Sequence, residues 1–132
     1  MDNIDNYANG AADLLVEAKL LNAIKHPHII ELHSMSTEGI DGFQYHRGYF
    51  LILDRLSCTL DCQMTQWRKK SYRYAGDKAS ETAFLAQRLQ VAKGISSALL
   101  HLHSLNIIFR DLKPDNVGKS LKLHHFFNRL EC

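Results

Sequence analysis

The sequence predicts an α+β fold in which helices and strands occupy separate segments. Two stretches, 11–25 and 84–102, place apolar residues at three- and four-residue steps, which is typical of helices with one buried face. Two short apolar runs between them, 29–35 and 48–56, are typical of strands. The chain has 132 residues, of which 45% are hydrophobic and 23% are charged. We therefore expect one ordinary globular domain, or part of one.

The overall charge favours neither nucleic acid nor a membrane as a partner. A formal net charge of +2 is too small to indicate nucleic-acid binding. The basic run 68–74, RKKSYRY, lacks periodicity, and we interpret it as a solvated loop rather than a binding patch. The N-terminus is polar and acidic, unlike a secretory signal, and no apolar run approaches the roughly 18 residues of a membrane span. We expect an intracellular, cytoplasmic protein.

Cysteine and histidine usage predicts neither a disulfide framework nor a structural metal. Cys58, Cys62 and Cys132 are few and irregularly spaced, which fits a reducing compartment. The eight histidines include three close pairs, but these lack companion ligands at the spacing of zinc sites.

The first predicted helix, 11–25, carries a carboxylate inside its apolar stripe. Pro27 helps to end this helix, because a residue that precedes proline is pushed out of helical geometry. At the helical repeat, Glu17 lies within about 60° of its apolar neighbours, which are Leu14, Leu20, Leu21 and Ile24. Burying a charge there is costly unless the charge finds a partner. The alternative is a carboxylate at the edge of a loosely packed helix.

The two predicted strands form the next unit of the chain. Residues 29–35 form the first strand, and residues 48–56 form the second. The polar loop between them contains Gly39 and Gly42, with Gly48 at its end. Near its end, the second strand passes into a polar turn that begins at Asp54.

A short helix, a loop and a long helix are predicted to follow. Residues 59–67 form the short helix, residues 68–80 form the loop, and Ser80 is the predicted N-cap of the long helix. The long helix has about 20 residues and a length of about 30 Å. The residues that recur along it at three- and four-residue steps, all apolar except Arg88, are Phe84, Leu85, Arg88, Leu89, Ala92, Ile95, Leu99 and Leu102.

The segment 107–118, IIFRDLKPDNVG, carries the residues best suited to chemistry. Residues 107–109 are predicted to form a short strand that leads into a polar loop. In that loop Asp111 could accept a proton from a hydroxyl, Lys113 could neutralise phosphate charge, and Asn116 offers an oxygen ligand to Mg²⁺. The alternative is a solvated turn rich in Asp, Asn and Pro.

The run Arg-Asp-Leu-Lys-Pro-Asp-Asn, residues 110–116, resembles the catalytic loop of the eukaryotic protein kinases. Its Lys-Pro-Asp-Asn ending is similar to the serine/threonine branch. Phe109 departs from the histidine that is most common in the family. The resemblance implies that Asp111 is the catalytic base, that Lys113 contacts the γ-phosphate and that Asn116 holds Mg²⁺, with Arg110 part of the same catalytic motif.

The resemblance extends in one register over residues 12–118. It implies that Glu17 is the C-helix glutamate, whose lysine partner holds the nucleotide phosphates. It further implies that Leu53 lies at the back of the nucleotide pocket, and that Asp54, Arg55 and Leu56 form the hinge that holds adenine. The implied fold is a partial protein-kinase-like fold, with an incomplete small lobe of the C-helix and two antiparallel strands, followed by the start of a helical large lobe. Residues 1–11 would form an N-terminal tail and residues 119–132 a divergent C-terminal tail.

Parts of the family pattern do not occur in the 132 residues. The 132 residues contain neither a Gly-rich loop before Glu17 nor a Val-Ala-Ile-Lys strand. Lys19 cannot replace the lysine of that strand, because it lies two residues from Glu17 on the same helix. Where the family has Asp-Phe-Gly, this chain has His125, Phe126 and Phe127. Our interpretation is that the sequence leaves the kinase frame, or crosses a splice boundary, near Gly118. The alternative is a divergent pseudokinase tail.

Two functions follow from these features. The first is a fragment of a serine/threonine-type protein kinase that uses ATP and Mg²⁺ to phosphorylate a protein hydroxyl. For this function we expect the 132-residue chain alone to be inactive. The second is a non-catalytic kinase-like module that binds a partner such as a full-length kinase. Two strands and one helix are too few to bury a small lobe fully, so we also expect exposed apolar surface.

Overall fold

A computed structural model describes residues 2–36, 50–120 and 126–128. The predicted α+β class is confirmed. In chain order the elements are α1 (Asp2–Ala23), β1 (Leu32–Met35), β2 (Leu51–Leu53), β3 (Leu56–Thr59), α2 (Leu60–Arg73), α3 (Lys78–Ser104), a 3₁₀ turn (Pro114–Asn116), β4 (Val117–Ser120) and β5 (Phe126–Asn128).

The described strands form two antiparallel sheets. In the first sheet β1 pairs with β2, so that Leu32 lies opposite Leu53, and the predicted antiparallel pair is confirmed. β1 is shorter than predicted, because the buried residues Ile29 and Ile30 precede it instead of belonging to it. The second predicted strand, 48–56, is interrupted, since β2 ends at Leu53 and Leu56 begins β3, and its residues 48 and 49 lie outside the described residues. The second sheet has the order β3-β4-β5. Only Asp54 and Arg55 separate the two sheets along the chain.

Helix α1 is longer at its N-terminus than predicted, because it begins at Asp2 rather than at residue 11. It ends at Ala23, ahead of Pro27, as the proline predicts. Its buried face includes Ala18 and Leu21, and Glu17 is buried beside them. The interpretation that Glu17 lies inside the apolar stripe is therefore confirmed.

One hydrophobic cluster joins α1, the first sheet and the C-terminal half of α3. Its buried members come from α1, from the segment after α1, from β1 and from α3, and partly buried side chains of the strands and of the segment after α3 pack against them. We call it the main core; its buried residues are Ala18, Leu21, Ile24, Ile29, Ile30, Leu32, Ala98 and Leu102.

Helix α2 corrects the predicted loop at 68–80. The helix continues to Arg73, so the basic run lies mostly on its exposed last turns rather than in a loop. The Thr59 hydroxyl caps the helix by accepting a hydrogen bond from the backbone N–H of Cys62 at 3.3 Å. Lysine and arginine are good helix formers, which agrees with a helix that continues beyond Trp67 through the basic run.

Helix α3 differs from the prediction at its start and in its buried face. Its N-cap is Asp77, whose carboxylate accepts from the Ala79 N–H, and the predicted cap Ser80 donates its hydroxyl hydrogen to that carboxylate instead. Of the predicted repeat, Leu102 is fully buried, whereas Leu85 and Leu89 are 56% and 60% exposed. The buried positions are Val91, Gly94, Ala98 and Leu102.

The buried face of α3 was hard to predict because the helix carries apolar residues on several sides. Helix α2 packs against α3 near Phe84, Gln87 and Val91, and the main core packs against Ala98 and Leu102. Leu85 and Leu89 remain exposed. Apolar surface is therefore exposed on the described residues, as expected. None of the helices described is both long enough and apolar enough to cross a membrane.

A second, smaller cluster joins α2, α3 and β4. Trp67 of α2, Val91 of α3 and Val117 of β4 are buried together. The Trp67 indole N–H donates to the Gln87 side-chain oxygen at 3.1 Å, and the Arg88 guanidinium lies 5.9 Å from the centre of the ring. Trp67 thus fixes α2 against α3 and belongs to the cluster that contains Val117, the first residue after the polar loop.

Candidate active site

The polar loop leaves α3 through a tight turn. Asn106 has a positive φ of 60°, a backbone conformation that asparagine tolerates better than most residues. The N–H of Ile107 then donates to the carbonyl of Leu102 at 2.9 Å. The loop is therefore tied directly to the buried last turn of α3.

The predicted strand at 107–109 is wrong. These residues are irregular, and a strand begins only after the loop, at Val117. Ile107 and Phe109 pack against the main core, whereas Ile108 between them is 77% exposed. The apolar run that suggested a strand is therefore an irregular segment whose first and third side chains pack on the main core, without pairing to another strand.

The structure brings three of the predicted catalytic residues together. The Lys113 ammonium donates to Asp111 Oδ2 at 2.7 Å. The Asn116 amide donates to the same oxygen at 2.7 Å and to the Asp111 carbonyl at 3.0 Å. We call Asp111, Lys113 and Asn116 the loop network. Its hydrogen bonds hold one carboxylate between a cation and an amide.

The electrostatics of the loop network favour an ionised Asp111. The hydrogen bond from Lys113 is the largest cause that lowers the pKa of Asp111, and the bond from Asn116 lowers the pKa further. The carboxylate is accordingly a hydrogen-bond acceptor at neutral pH. Exposure of Asp111 and Lys113 is intermediate to high, so both side chains can meet a ligand from solvent.

Asn116 is held more firmly than its two partners. It is only 5% exposed and lies in the 3₁₀ turn that Pro114 begins, where its N–H donates to the Lys113 carbonyl at 3.0 Å. The next residue, Val117, is 1% exposed in the cluster around Trp67. The base of the loop is thus anchored in buried structure while its upper part faces solvent.

The predicted hinge lies where the chain passes from one sheet to the other. Leu53 ends β2, is partly buried against the main core, and precedes Asp54. Asp54 is tied to β1 and the residue before it: its N–H donates to the Glu31 carbonyl, and its carboxylate accepts from the Glu31 N–H and contacts His33 Nε2 at 2.8 Å. The Asp54 carboxylate is therefore already bonded to β1 and the residue before it.

Strand β3, which starts at the hinge, pairs with the strand that follows the loop network. Leu56 lies opposite Ser120, and Thr59 lies opposite Gly118. Gly118 has a tight contact with Leu56, because a Cβ built on it would overlap the Leu56 side chain. Sequence reasoning missed this contact. The glycine two residues after Asn116 was its only signal.

Glu17 and Arg110, which were also predicted as site residues, are not members of the loop network. Glu17 is buried on α1, and Lys19, two residues along the helix, is exposed, as its position predicts. Arg110 is exposed on the loop, and within the described part of the chain it takes no part in the bonds that join Asp111, Lys113 and Asn116. His125, the position predicted to replace the metal-binding aspartate, lies outside the described residues, whereas Phe126 and Phe127 belong to β5.

The loop network suits a hard cation only as a partial site. Because the Asn116 amide nitrogen is engaged with Asp111, its oxygen is the atom left to meet a cation. Mg²⁺ commonly takes one or two protein ligands and completes its shell with water and substrate phosphates, which agrees with this donor set. Among the described residues no cluster of three or more His, Cys, Asp or Glu side chains could hold a metal by itself.

Comparison with known proteins shows which family the chain resembles. The family model described as "Protein kinase domain" matches residues 2–123. The chain is 31% identical over 108 residues to the probable serine/threonine-protein kinase fhkD of Dictyostelium discoideum, covering 82% of this chain and 12% of that protein. It is 34% identical over 99 residues to the serine/threonine-protein kinases Sgk1 of Xenopus tropicalis and Homo sapiens, covering 74% of this chain and 19% and 18% of those proteins. The chain thus spans less than a fifth of these relatives.

Proposed function

This chain belongs to the protein kinase domain family, and we propose that it carries the hinge and the catalytic loop of a serine/threonine-type kinase. The proposed reaction transfers a phosphoryl group from ATP to a serine or threonine hydroxyl of a protein substrate. The observation that carries the proposal is the loop network, in which Lys113 and Asn116 hold the Asp111 carboxylate at 2.7 Å each. The serine/threonine kinases among the relatives support the choice of hydroxyl.

In the proposed mechanism Asp111 orients the attacking hydroxyl and takes its proton. Phosphoryl transfer needs little covalent help from the protein, so positioning and charge stabilisation supply most of the rate. Both hydrogen bonds to the Asp111 carboxylate end on Oδ2. This leaves Oδ1 as the oxygen that we assign to the hydroxyl.

Lys113 and Asn116 have the supporting roles. In this proposal the Lys113 ammonium contacts the γ-phosphate. Its positive charge there neutralises the negative charge of the phosphate during transfer. The Asn116 side-chain oxygen is assigned to Mg²⁺, which neutralises phosphate charge when it is bound. Burial of Asn116 at 5% exposure supports a fixed ligand position.

The nucleotide contacts are proposed for the hinge. Because the Asp54 side chain and N–H are already bonded to the first sheet, the hinge would recognise adenine through the other backbone groups of Asp54, Arg55 and Leu56. Leu53 and Leu56 would supply the apolar contacts. Glu17 is buried on α1, and we assign it the role of pairing with a lysine that holds the nucleotide phosphates, as in the family.

We expect a polypeptide of these 132 residues to bind Mg-ATP weakly, with a dissociation constant above about 1 mM. The hinge and the loop network supply only part of the contacts that must offset the entropy of association, because the 132 residues include neither a Gly-rich loop nor its lysine. Isothermal titration calorimetry with and without Mg²⁺ measures this. Micromolar, Mg²⁺-dependent binding would contradict it.

A chimera tests the proposed reaction itself. Residues 12–118 would replace the corresponding segment of the Sgk1 of Homo sapiens, so that the remainder of that kinase supplies the parts these residues do not include. We expect transfer of radiolabelled phosphate to serine or threonine of a protein substrate by the chimera, and none by the 132-residue polypeptide. A chimera that folds and binds ATP but transfers no phosphate would contradict the proposal.

A second candidate is a non-catalytic module that binds a full-length kinase. The exposed leucines of α3 favour it: Leu85, Leu89 and Leu100 are 56%, 60% and 72% exposed. The enzyme and the binding module predict different effects of substitution on the binding of a full-length kinase. Binding that is lost on Leu85→Lys with Leu89→Lys, and kept on Asp111→Asn, would favour the module over the enzyme.

A further inference from the structure

Three histidines, two from the segment after α1 and one from the distant helix α3, meet where these two parts of the chain pack together. The rings of His26 and His101 are stacked, with centres 5.1 Å apart and planes 20° apart. The His28 ring lies 5.7 Å from the His26 ring at 51°. Gly94 lets α3 approach closely, because a Cβ there would lie 3.0 Å from His28 Nδ1. We call His26, His28 and His101 the histidine joint.

The hydrogen bonds of His26 determine where its proton resides. The backbone N–H of His28 donates to His26 Nδ1 at 3.1 Å, so Nδ1 must keep its lone pair. In the neutral ring the proton is then on Nε2, which lies 3.1 Å from the hydroxyl oxygen of Ser97. Protonation of Nδ1 would break the bond to His28 and place two N–H groups against each other.

The neighbours of His26 also oppose a positive charge on it. Among the described residues, the titratable groups that face it are His101 from α3 and His28 from its own segment. Of the nearest formal charges along the chain, Lys25 and Glu31 pair with each other at 2.9 Å at the exposed surface. Burial is the largest cause that lowers the pKa of His26 below its ordinary value of 6.5, followed by His101 and then His28.

We propose that the histidine joint is an acid-sensitive contact that fastens the segment after α1 to helix α3 at neutral pH and loosens when His26 is protonated. The contact connects two parts of the proposed site. The segment after α1 follows the helix that carries Glu17, and the Leu102 carbonyl of α3 receives the N–H of Ile107 at the start of the loop. Loosening the joint would free one part relative to the other.

The direction of the pH dependence follows from proton binding. Because the pKa of His26 is lower in the folded chain than its unfolded value near 6.5, the unfolded chain binds more protons below that pH. The contribution of the joint to stability is therefore complete above pH 6.5 and is lost as the pH falls through the folded-state pKa. Neutral pH holds the contact, and acid weakens it.

Nuclear magnetic resonance of the 132-residue chain tests the proposal directly. Long-range proton–nitrogen spectra should show the Nε2–H tautomer of His26 and a titration midpoint below 6.5. The protection factor of the His28 amide against hydrogen exchange should fall between about pH 7.5 and about pH 5.5. At the low-pH limit, the fall should be about tenfold for each unit by which the pKa of His26 is lowered.

Two variants separate the joint from general histidine titration. His26→Asn offers a carbonyl that can accept the N–H two residues later and cannot titrate, so the pH dependence of His28 protection should disappear. His103→Gln, an exposed histidine in the same turn of α3 as His101, should keep the dependence. A His26 midpoint at or above 6.5, an Nδ1–H tautomer, or an unchanged pH dependence in His26→Asn would overturn the proposal. If His26→Asn does not fold, the wild-type midpoint and exchange decide the outcome.

Discussion

Asp111→Asn is expected to lower the rate of phosphoryl transfer by the chimera by about 10²- to 10⁴-fold, the usual contribution of a positioned general base. Asparagine has the shape of aspartate but neither its charge nor its ability to take a proton. The substitution would also remove the ion pair with Lys113, which lies 2.7 Å from the carboxylate. The loss should appear in kcat, because the affected interaction acts on the reacting hydroxyl.

Asp115→Asn is the matched control for this substitution. Asp115 lies four residues further along, in the 3₁₀ turn that also contains Asn116, is exposed, and takes no part in the three hydrogen bonds of the loop network. We expect the Asp115 variant to keep most of the transfer rate. Nucleotide binding, measured separately for both variants, should change little. Equal rates for the Asp111 variant and the unaltered chimera would remove the role we assign to Asp111.

Trp67→Ala is expected to lower the free energy of unfolding by about 3–5 kcal/mol, as for other large aromatic side chains removed from a core. Trp67 is 6% exposed and packs with Val91 and Val117, so its loss leaves a cavity where α2, α3 and β4 meet. The indole bond to Gln87 is lost as well. Such a decrease is comparable with the whole stability of a small domain.

Urea denaturation followed by circular dichroism measures this loss, because Trp67 is the chain's one tryptophan and cannot serve as the fluorescent probe. Trp67→Phe should lie between the native chain and Trp67→Ala, since phenylalanine keeps an aromatic ring without the N–H that reaches Gln87. Leu89→Ala is the surface control: Leu89 is 60% exposed, and its loss should cost little. Similar costs for Trp67→Ala and Leu89→Ala would show that the smaller cluster does not stabilise the chain.

The elements were predictable from the sequence wherever local pattern decides them. The apolar repeats indicated α1 and α3, and Pro27 indicated where α1 ends. The helix starts were less predictable, because Asp77 and Ser80 are both good N-caps and the structure uses the earlier one. The buried face of α3 depends on which elements pack against it, and no local pattern contains that information.

The candidate site also has a part that local sequence spacing predicts and a part that it does not. Asp111, Lys113 and Asn116 lie within six residues of one another, so a single turn can bring them together, and their spacing made them visible. The contact of Gly118 with Leu56 and the stacking of His26 with His101 join positions far apart in the chain. Contacts of this kind arise from tertiary packing, which sequence spacing does not describe.

The pairing of β3 with β4 also has a consequence for the order of folding. Because Leu56 lies opposite Ser120, forming this strand pair closes a loop that contains the whole of α2 and α3. Closing a long loop costs chain entropy before its contacts can compensate, whereas helical hydrogen bonds are local. We therefore expect the two helices to form early and the strand pair late. The turn that holds Asp111 beside Asn116 leads directly into β4, so the loop network would be among the last parts of the chain to reach its final geometry.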